Sequence, residues 1–472
     1  MGFGSAHDGQ HPFPPAHLFA GLSHAKLWLM GVRMNTPPAS DAHLQPTCVR
    51  FRVVGLVYVL SMITYVDRVC MGTLAPTIIA DFSLTKVQMS YVFSAFAFAY
   101  AAFEIPTARY ADRIGTRAVI TRIVVWWSVF TVATGAAFNH ASLLIARFLF
   151  GAGEAGAWPC AARVFARWIP RKQRGTWQSF FFSSALLAGS VTPFIASFVA
   201  QHASWRVVFF SFGAVGVAWA WAWHAFFRSE PSEHPQVNAA ELTLIGSDNS
   251  AAVGHRGGAQ FWKRILLNRN MLALCVMYFP NSFVFYFCIT WLPTYLKERH
   301  NFTNLSLNVF TGLPLALSAV GVIIGGVLVD KLVSHLGERA GRCGLGAASY
   351  FVAATSLLFV PSAPGPISAA SLIAVAMAAN TFTLSAAWGA CIEIGGGNAG
   401  VVGATMNTAS QIGSLLSPLV VAYTLKWFGS WNVSLYVMSA LFFIGVLCWC
   451  VIDPTRKVLF ENEPRVAPHP MS

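Results

Sequence analysis

Hydrophobic residues in this chain come in long unbroken blocks, not in the alternation of a strand or the one-sided spacing of a surface helix. Twelve apolar runs of about 18 to 25 residues, the length an α-helix needs to cross hydrocarbon, predict helices near 52–76, 87–107, 118–138, 141–166, 175–201 and 205–227. A second set follows near 271–296, 306–332, 343–361, 366–392, 400–427 and 431–452. None alternates over about ten residues as a membrane β-strand does, and a bilayer admits only segments that satisfy their backbone internally. The expected fold is therefore an all-α membrane protein of twelve transmembrane helices in two six-helix bundles. Polar stretches set the expected divisions: a tail over 1–50, bundles over 51–227 and 271–453, a linker over 228–270 with Pro231, Pro235 and Gly257-Gly258, and a tail over 454–472. The first tail is rich in His and Pro, lacks the apolar core of a signal peptide and reads as disordered. Because Met30 and Met34 lie within it, translation is expected to start downstream of Met1.

Composition agrees, with 56% hydrophobic residues against 10% charged over 472 positions. Thirty-one Lys and Arg against 18 Asp and Glu could suggest a nucleic-acid partner, but the distribution is topological instead. With the N-terminus inside, the outer segments hold only Lys86, Arg206, Lys297, Arg299 and Lys426; Arg68 and Arg147 are buried in apolar runs, and the other basic residues are all internal. Positive loops stay on the cytoplasmic side, so both termini are expected in the cytoplasm and the chain in the inner or plasma membrane. The nine cysteines lie mostly in apolar runs, without a CxxC pair or ligand-like Cys/His spacing, so no disulfide framework, metal or other cofactor is expected. No GxSxG or HExxH arrangement points to an enzyme.

The two halves read as copies. Ala108-Arg-Tyr-Ala-Asp112-Arg113 after the second run answers to Gly326-Val-Leu-Val-Asp330-Lys331 after the eighth, Gly189-Ser-Val-Thr-Pro193 to Gly413-Ser-Leu-Leu-Ser-Pro418, and Ser204-Trp205-Arg206 to Ser430-Trp431-Asn432. Three matches in the same order imply a parallel repeat, the design of transporters whose bundles rock about a midplane site.

The candidate chemistry lies in four charges where hydrocarbon should exclude them: Asp67 and Arg68 in the first run, Arg147 and Glu154 in the fourth. Each costs several kcal/mol unless paired or facing a wet cavity. Ionised, the four sum to zero and can neutralise one another. Protonating either acid leaves net positive charge and releases an arginine fork to grip a carboxylate, so proton and anion bind with positive coupling. A purely structural salt bridge between the two helices is the alternative for Asp67-Arg68. Asp112, Arg113 and Arg117, with Asp330 and Lys331, sit at inner helix ends and are expected to form a gate that parts as the bundles rock. Glu104 is expected to support the loop that carries Asp112 and Arg113.

Four stretches carry a family resemblance: Tyr65-Val-Asp67-Arg68, Arg147-Phe-Leu-Phe-Gly151-Ala-Gly153-Glu154, Trp291-Leu-Pro293-Thr-Tyr295 and Gly403-Ala-Thr-Met-Asn407-Thr-Ala-Ser-Gln411. The chain resembles the major facilitator superfamily and, within it, the anion:cation symporters that carry sugar acids and other organic anions. The loop after the second run departs from that pattern, with Ala108 where glycine is usual.

The resemblance implies proton-coupled symport of an organic anion such as a hexuronate, aldonate or aldarate, by a monomer in a lipid bilayer. Arg68 would contact the cargo carboxylate, helped by Tyr100, Ser385, Trp388 and Asn407. Glu154 would take the proton, and Asp67 would pair with Arg147 as a second proton site. The fifth run reads Phe-Phe-Phe-Ser-Ser-Ala-Leu-Leu over 180–187 where sugar-acid carriers place a polar side chain, which leaves an aromatic or dicarboxylic acid open as cargo. Sodium-coupled or exchange-type transport, and a sensor of the same fold that does not transport, also remain open at this point.

Overall fold

The computed structural model describes residues 45–170, 173–246 and 259–457, apart from a few side chains such as that of Asp112. Most of the expected first tail, residues 1–44, lies outside the described residues. The described residues are helical, with no strand, and eight helical stretches are long and apolar enough to cross a membrane.

The first half comprises α1 (Val49–Asp81), α2 (Lys86–Ile114), α3 (Thr116–Gly135), α4 (His140–Glu154), α5 (Ala157–Trp168), α6 (Arg174–His202) and α7 (Trp205–Phe226). The linker forms α8 (Ala239–Ile245) and α9 (Ala259–Leu267). The second half comprises α10 (Arg269–Thr290), α11 (Leu292–His300), α12 (Asn304–Glu338), α13 (Gly344–Phe359), α14 (Pro366–Phe382), α15 (Leu384–Gly395), α16 (Ala399–Phe428) and α17 (Trp431–Val451). Three expected helices prove to be broken: 141–166 divides between α4 and α5, 271–296 between α10 and α11, and 366–392 between α14 and α15. The breaks in the fourth and tenth expected helices fall at corresponding places in the two halves.

Packing repeats as the sequence does. In the first half α1 packs on α6, α2 on α4 and α3 on α7; in the second, α10 packs on α16, α12 on α14 and α13 on α17. The seam between halves is made by α2 with α16 and by α6 with α12, two pairs that the same repeat exchanges. The Ser-Trp match has a local cause: Ser204 and Ser430 are both N-caps, their hydroxyls accepting from the backbone N–H of Arg206 at 3.3 Å and of Asn432 at 3.2 Å. A capping hydroxyl satisfies one of the free N–H groups at a helix start.

Among the described residues, most of the bonds that join the halves lie on the side away from the linker. There Lys86 Nζ lies 2.6 Å from Glu298 Oε2, Tyr91 and Tyr423 share a 2.7 Å hydroxyl bond, Ser197 donates to Asn308 Oδ1 at 2.8 Å and Ser94 to the Leu415 carbonyl at 2.9 Å. Gly72 permits the tightest approach, because a Cβ there would overlap the Ile289 carbonyl oxygen. Toward the linker the last bond between the halves is Ser183 Oγ to the Ala319 carbonyl, 3.5 Å long and near mid-depth. Beyond it, none crosses among the described residues.

On the linker side Glu241 of α8 is fully buried. It accepts from the Thr47 hydroxyl at 2.5 Å, from the backbone N–H of Val49 and Arg50 at 3.3 and 3.1 Å, and from Arg50 Nη1 at 3.2 Å. A carboxylate here satisfies free donors and the positive end of the α1 dipole. Residues 47–50, expected as the end of a disordered tail, are thus held by the linker.

Candidate functional site

Neighbouring residues on a helix leave it about 100° apart, so Asp67 and Arg68 cannot face the same way. Arg68 turns to a cavity between the halves, where its Nε donates to Glu154 Oε1 at 2.6 Å; the Arg68 side chain is 9% exposed and that of Glu154 is fully buried. The guanidinium lies over Tyr100 at 4.7 Å, Phe96 at 5.3 Å and Tyr65 at 5.9 Å, a cation–π setting that suits a desolvated arginine. Arg68 Nη2 and Glu154 Oε2 have no protein partner.

Close to this pair, a glycine sets how near α4 lies to α2. A Cβ on Gly151 would stand 2.5 Å from the Phe96 carbonyl oxygen, so only a bare Cα lets α4 press this closely on α2. The α4 helix ends at Glu154 and the chain restarts at Ala157.

The expected ion pair between Asp67 and Arg147 is not formed. Both are buried, and Asp67 stands within electrostatic range of Arg147 and Glu154. The Arg147 guanidinium is instead laid over Phe150 at 4.2 Å and Phe96 at 5.3 Å. Its Nε and Nη1, and Asp67 Oδ1, have no hydrogen-bond partner in the protein. The aromatic residues beside Arg147 hold its fork away from the acid that the sequence offered it.

The cavity occupies about 350 Å³ and draws on both halves: Tyr65 and Arg68 of α1, Tyr100 and Glu104 of α2, Trp158 of α5, Gln178, Phe181 and Phe182 of α6, Tyr278, Asn281 and Tyr286 of α10, Trp388 of α15, and Asn407 and Gln411 of α16. Four expected cargo contacts, Arg68, Tyr100, Trp388 and Asn407, therefore meet in one chamber. Trp388 Nε1 donates to the Tyr278 hydroxyl at 3.2 Å, which fixes its ring in the wall.

Ser385 does not join them. The break at Thr383 sets the phase of α15 so that Leu384 and Trp388, one turn apart, line the cavity. Ser385, one residue on, faces α12, where a Cβ on Gly326 would stand 3.3 Å from its hydroxyl. Several polar wall residues escaped the sequence reading, among them Gln178, Glu104, Asn281 and Gln411. Gln178 supplies an amide just ahead of the Phe-rich stretch 180–187, and Glu104, expected to brace a loop, opens on the cavity one turn after Tyr100. The i,i+4 spacing from Tyr100 to Glu104, repeated from Asn407 to Gln411, is the signal that could have found the latter pair.

Of the expected gate, Arg113, Asp330 and Lys331 are exposed at linker-side helix ends, and the Asp112 side chain lies outside the described residues. Arg117 is tied to its own half and to the start of the linker, Nε donating to the His224 carbonyl at 3.0 Å and the backbone N–H to Ser229 Oγ at 3.4 Å. No ion pair joins the halves there among the described residues.

Two repeated helical halves around a midplane cavity with a buried arginine define a membrane carrier. The chain belongs to the major facilitator superfamily, whose family model matches residues 57–418. It is 34% identical to the "Probable sulfoacetate transporter SauU" of Cupriavidus necator, over 88% of this chain and 96% of that one. It is 28% identical to the "Probable galactarate/D-glucarate transporter GudP" of Bacillus subtilis, over 88% and 95%, and 27% identical to the "D-galactonate transporter" of Escherichia coli O6:H1, over 85% and 95%. Among solved structures it is similar in fold to a bacterial homologue of the human lysosomal transporter Spinster in an inward-facing, occupied conformation, with a TM-score of 0.69, 18% identity and coverage of 86% and 97%. The chain is thus a multi-pass protein of the cell membrane and a transporter, not an enzyme.

Proposed function

We propose that this protein imports a small organic anion together with a proton by alternating access. The observation that carries the reading is the Arg68–Glu154 pair in a residue that lines the cavity, with Nη2 of the same guanidinium buried and without a protein partner. While Glu154 is ionised it holds Arg68. Once Glu154 is protonated the fork is free to accept a carboxylate or sulfonate in bidentate fashion. Loss of the anion favours return of the proton and re-formation of the pair, so each ligand strengthens the other by the same factor. Asp67 and Arg147, buried beside this pair without a direct bond, are assigned a second proton site and its cation. Tyr100, Trp388 and Asn407 are assigned to the cargo. The cargoes in the names of those relatives, sulfoacetate, galactarate, glucarate and galactonate, are all small organic anions.

Twelve spans follow if α4 with α5, α10 with α11, and α14 with α15 each count as one, and the basic residues then place the linker and both termini in the cytoplasm. With the far side sealed, the described state is open toward the cytoplasm. Asp112, Arg113, Arg117, Asp330 and Lys331 would form their gate only in the opposite state, and the protein would cycle as a monomer.

Uptake by proteoliposomes under an imposed pH gradient, with potassium or sodium as the only other cation, tests the coupling. Accumulation driven by the pH gradient without sodium is expected; accumulation that needs sodium and ignores pH would replace the reading with sodium coupling. A second reading, a less hydroxylated or aromatic acid as cargo, is favoured by the ring-rich walls from Tyr65, Trp158, Phe181, Phe182 and Tyr286. Benzoate and D-galactonate as competitors for uptake would decide between them.

A further inference from the structure

Glu104 has no role in the mechanism above, yet it stands in the wall of the same chamber as Arg68. It lies one helical turn from Tyr100, whose ring underlies the Arg68 guanidinium at 4.7 Å. Unlike Glu154, it takes part in no hydrogen bond or ion pair with the protein among the described residues, and its oxygens are not shut away among the orphaned buried atoms. It is a carboxylate that opens on the cavity.

The groups facing it are few. From α1 come Arg68 and Tyr65, from its own helix Tyr100, from α4 the carboxylate of Glu154 already bound to Arg68, and from α10 the phenols of Tyr278 and Tyr286. The wall residues of α5, α6, α15 and α16 add rings and amides but no charge. Arg68 is thus the only cation in the wall among the described residues. In a chamber of about 350 Å³ a bound anion cannot leave the field of an ionised Glu104. With Glu154 protonated and Arg68 holding the cargo, an ionised Glu104 would leave the chamber with an unbalanced negative charge.

We propose that Glu104 is a proton-binding residue of the cargo site, ionised when the cavity is empty and protonated when an anion is loaded. This rests on the reading of the cavity as an anion site. Loading then takes up a proton at Glu104 beside the one that frees Arg68 from Glu154. As a neutral acid, Glu104 becomes a hydrogen-bond donor to the cargo instead of a repelling charge. Proton uptake at a cargo-facing group lets a site with one arginine accept an anion bearing two negative charges. By linkage the anion raises the proton affinity of Glu104 by the factor by which the proton raises anion affinity.

The test is calorimetric binding of sulfoacetate and of D-galactonate to the purified full chain, between about pH 5.5 and 8.5, in buffers of different ionisation enthalpy, so that protons taken up per anion are counted directly. Relative to the wild type, Glu104→Gln should take up about one proton fewer per anion at the alkaline end, and its affinity should lose up to about tenfold less per pH unit there. Glu104→Asp, which keeps a titrating group, should retain the wild-type count, and it covers the case in which the Gln variant does not fold. A Gln variant with wild-type proton uptake and pH profile would overturn the proposal while leaving the anion site standing. If neither probe binds the wild type, or if Arg68→Lys binds them unchanged, the parent reading fails instead.

Discussion

Arg68 of α1 and Glu154 of α4 meet at 2.6 Å, 86 positions apart in sequence, and the arginine keeps one buried nitrogen without a protein partner. A buried pair that is only partly satisfied is costly as a structural device. It is suited to a carrier that must exchange one partner for another.

Glu154→Gln removes the charge that holds Arg68 and cannot titrate. The variant should bind anion and exchange internal for external anion, while accumulation driven by a pH gradient is lost. Counterflow and gradient-driven uptake in the same proteoliposomes separate the two; uphill uptake by the variant would remove Glu154 from coupling.

Arg68→Lys keeps the charge and loses the planar fork. Affinity should fall by about ten- to a hundredfold, the loss of roughly 1.4 to 2.7 kcal/mol expected when a bidentate grip becomes a point contact. Titration of the anion against protein fluorescence measures it, and an unchanged affinity would take Arg68 out of the cargo site.

Ser385→Ala should leave transport close to wild type, because that hydroxyl faces Gly326 and not the cavity. Asn407→Ala removes a wall amide and should raise the half-saturating anion concentration several-fold. The opposite ranking in initial uptake rates would mean that the functional register of α15 differs from the one described here.

Gly72→Val places a branched side chain against the Ile289 carbonyl in the seal between the halves. Overpacking of this kind costs about 1 to 3 kcal/mol, and here the cost falls on the state in which the far side is closed. Accessibility of a cysteine introduced at the seal should rise and transport should fall; normal cycling would show that the seal opens and closes elsewhere.

His234, in the linker, is 5% exposed and packs edge-on against Trp168 and Phe226. Its Nδ1 accepts from the Gln236 backbone N–H at 3.2 Å, which requires a neutral ring. Burial, with Arg228 nearby, holds its pKa below the ordinary histidine value. The unfolded chain therefore binds this proton first. Stability from the neutral ring is intact above about pH 6.5 and declines as the pH falls from there toward the lower folded value. Thermal unfolding of His234→Phe should show a weaker decline between about pH 7 and 5.5 than the wild type; an equal decline would place the acid sensitivity in other groups.

Apolar runs, basic loops and three ordered repeats were enough to read the helical membrane fold and its two halves from sequence, because hydrocarbon leaves the backbone no alternative to helices. The same cost of burying charge singled out Asp67, Arg68, Arg147 and Glu154. Which acid meets which arginine was not legible. Adjacent side chains on a helix diverge, so only packing could decide that Arg68 faces the cavity and Glu154 while Phe96 and Phe150 draw Arg147 aside. The break at Thr383 in the tenth expected helix, which no residue of that run announces, sets the phase that brings Trp388 to the cavity and turns Ser385 away. Glu104 and Gln178 belong to the wall for a similar reason: a polar residue near the end of an apolar run can brace a loop or line a chamber, and only the neighbouring helices determine which.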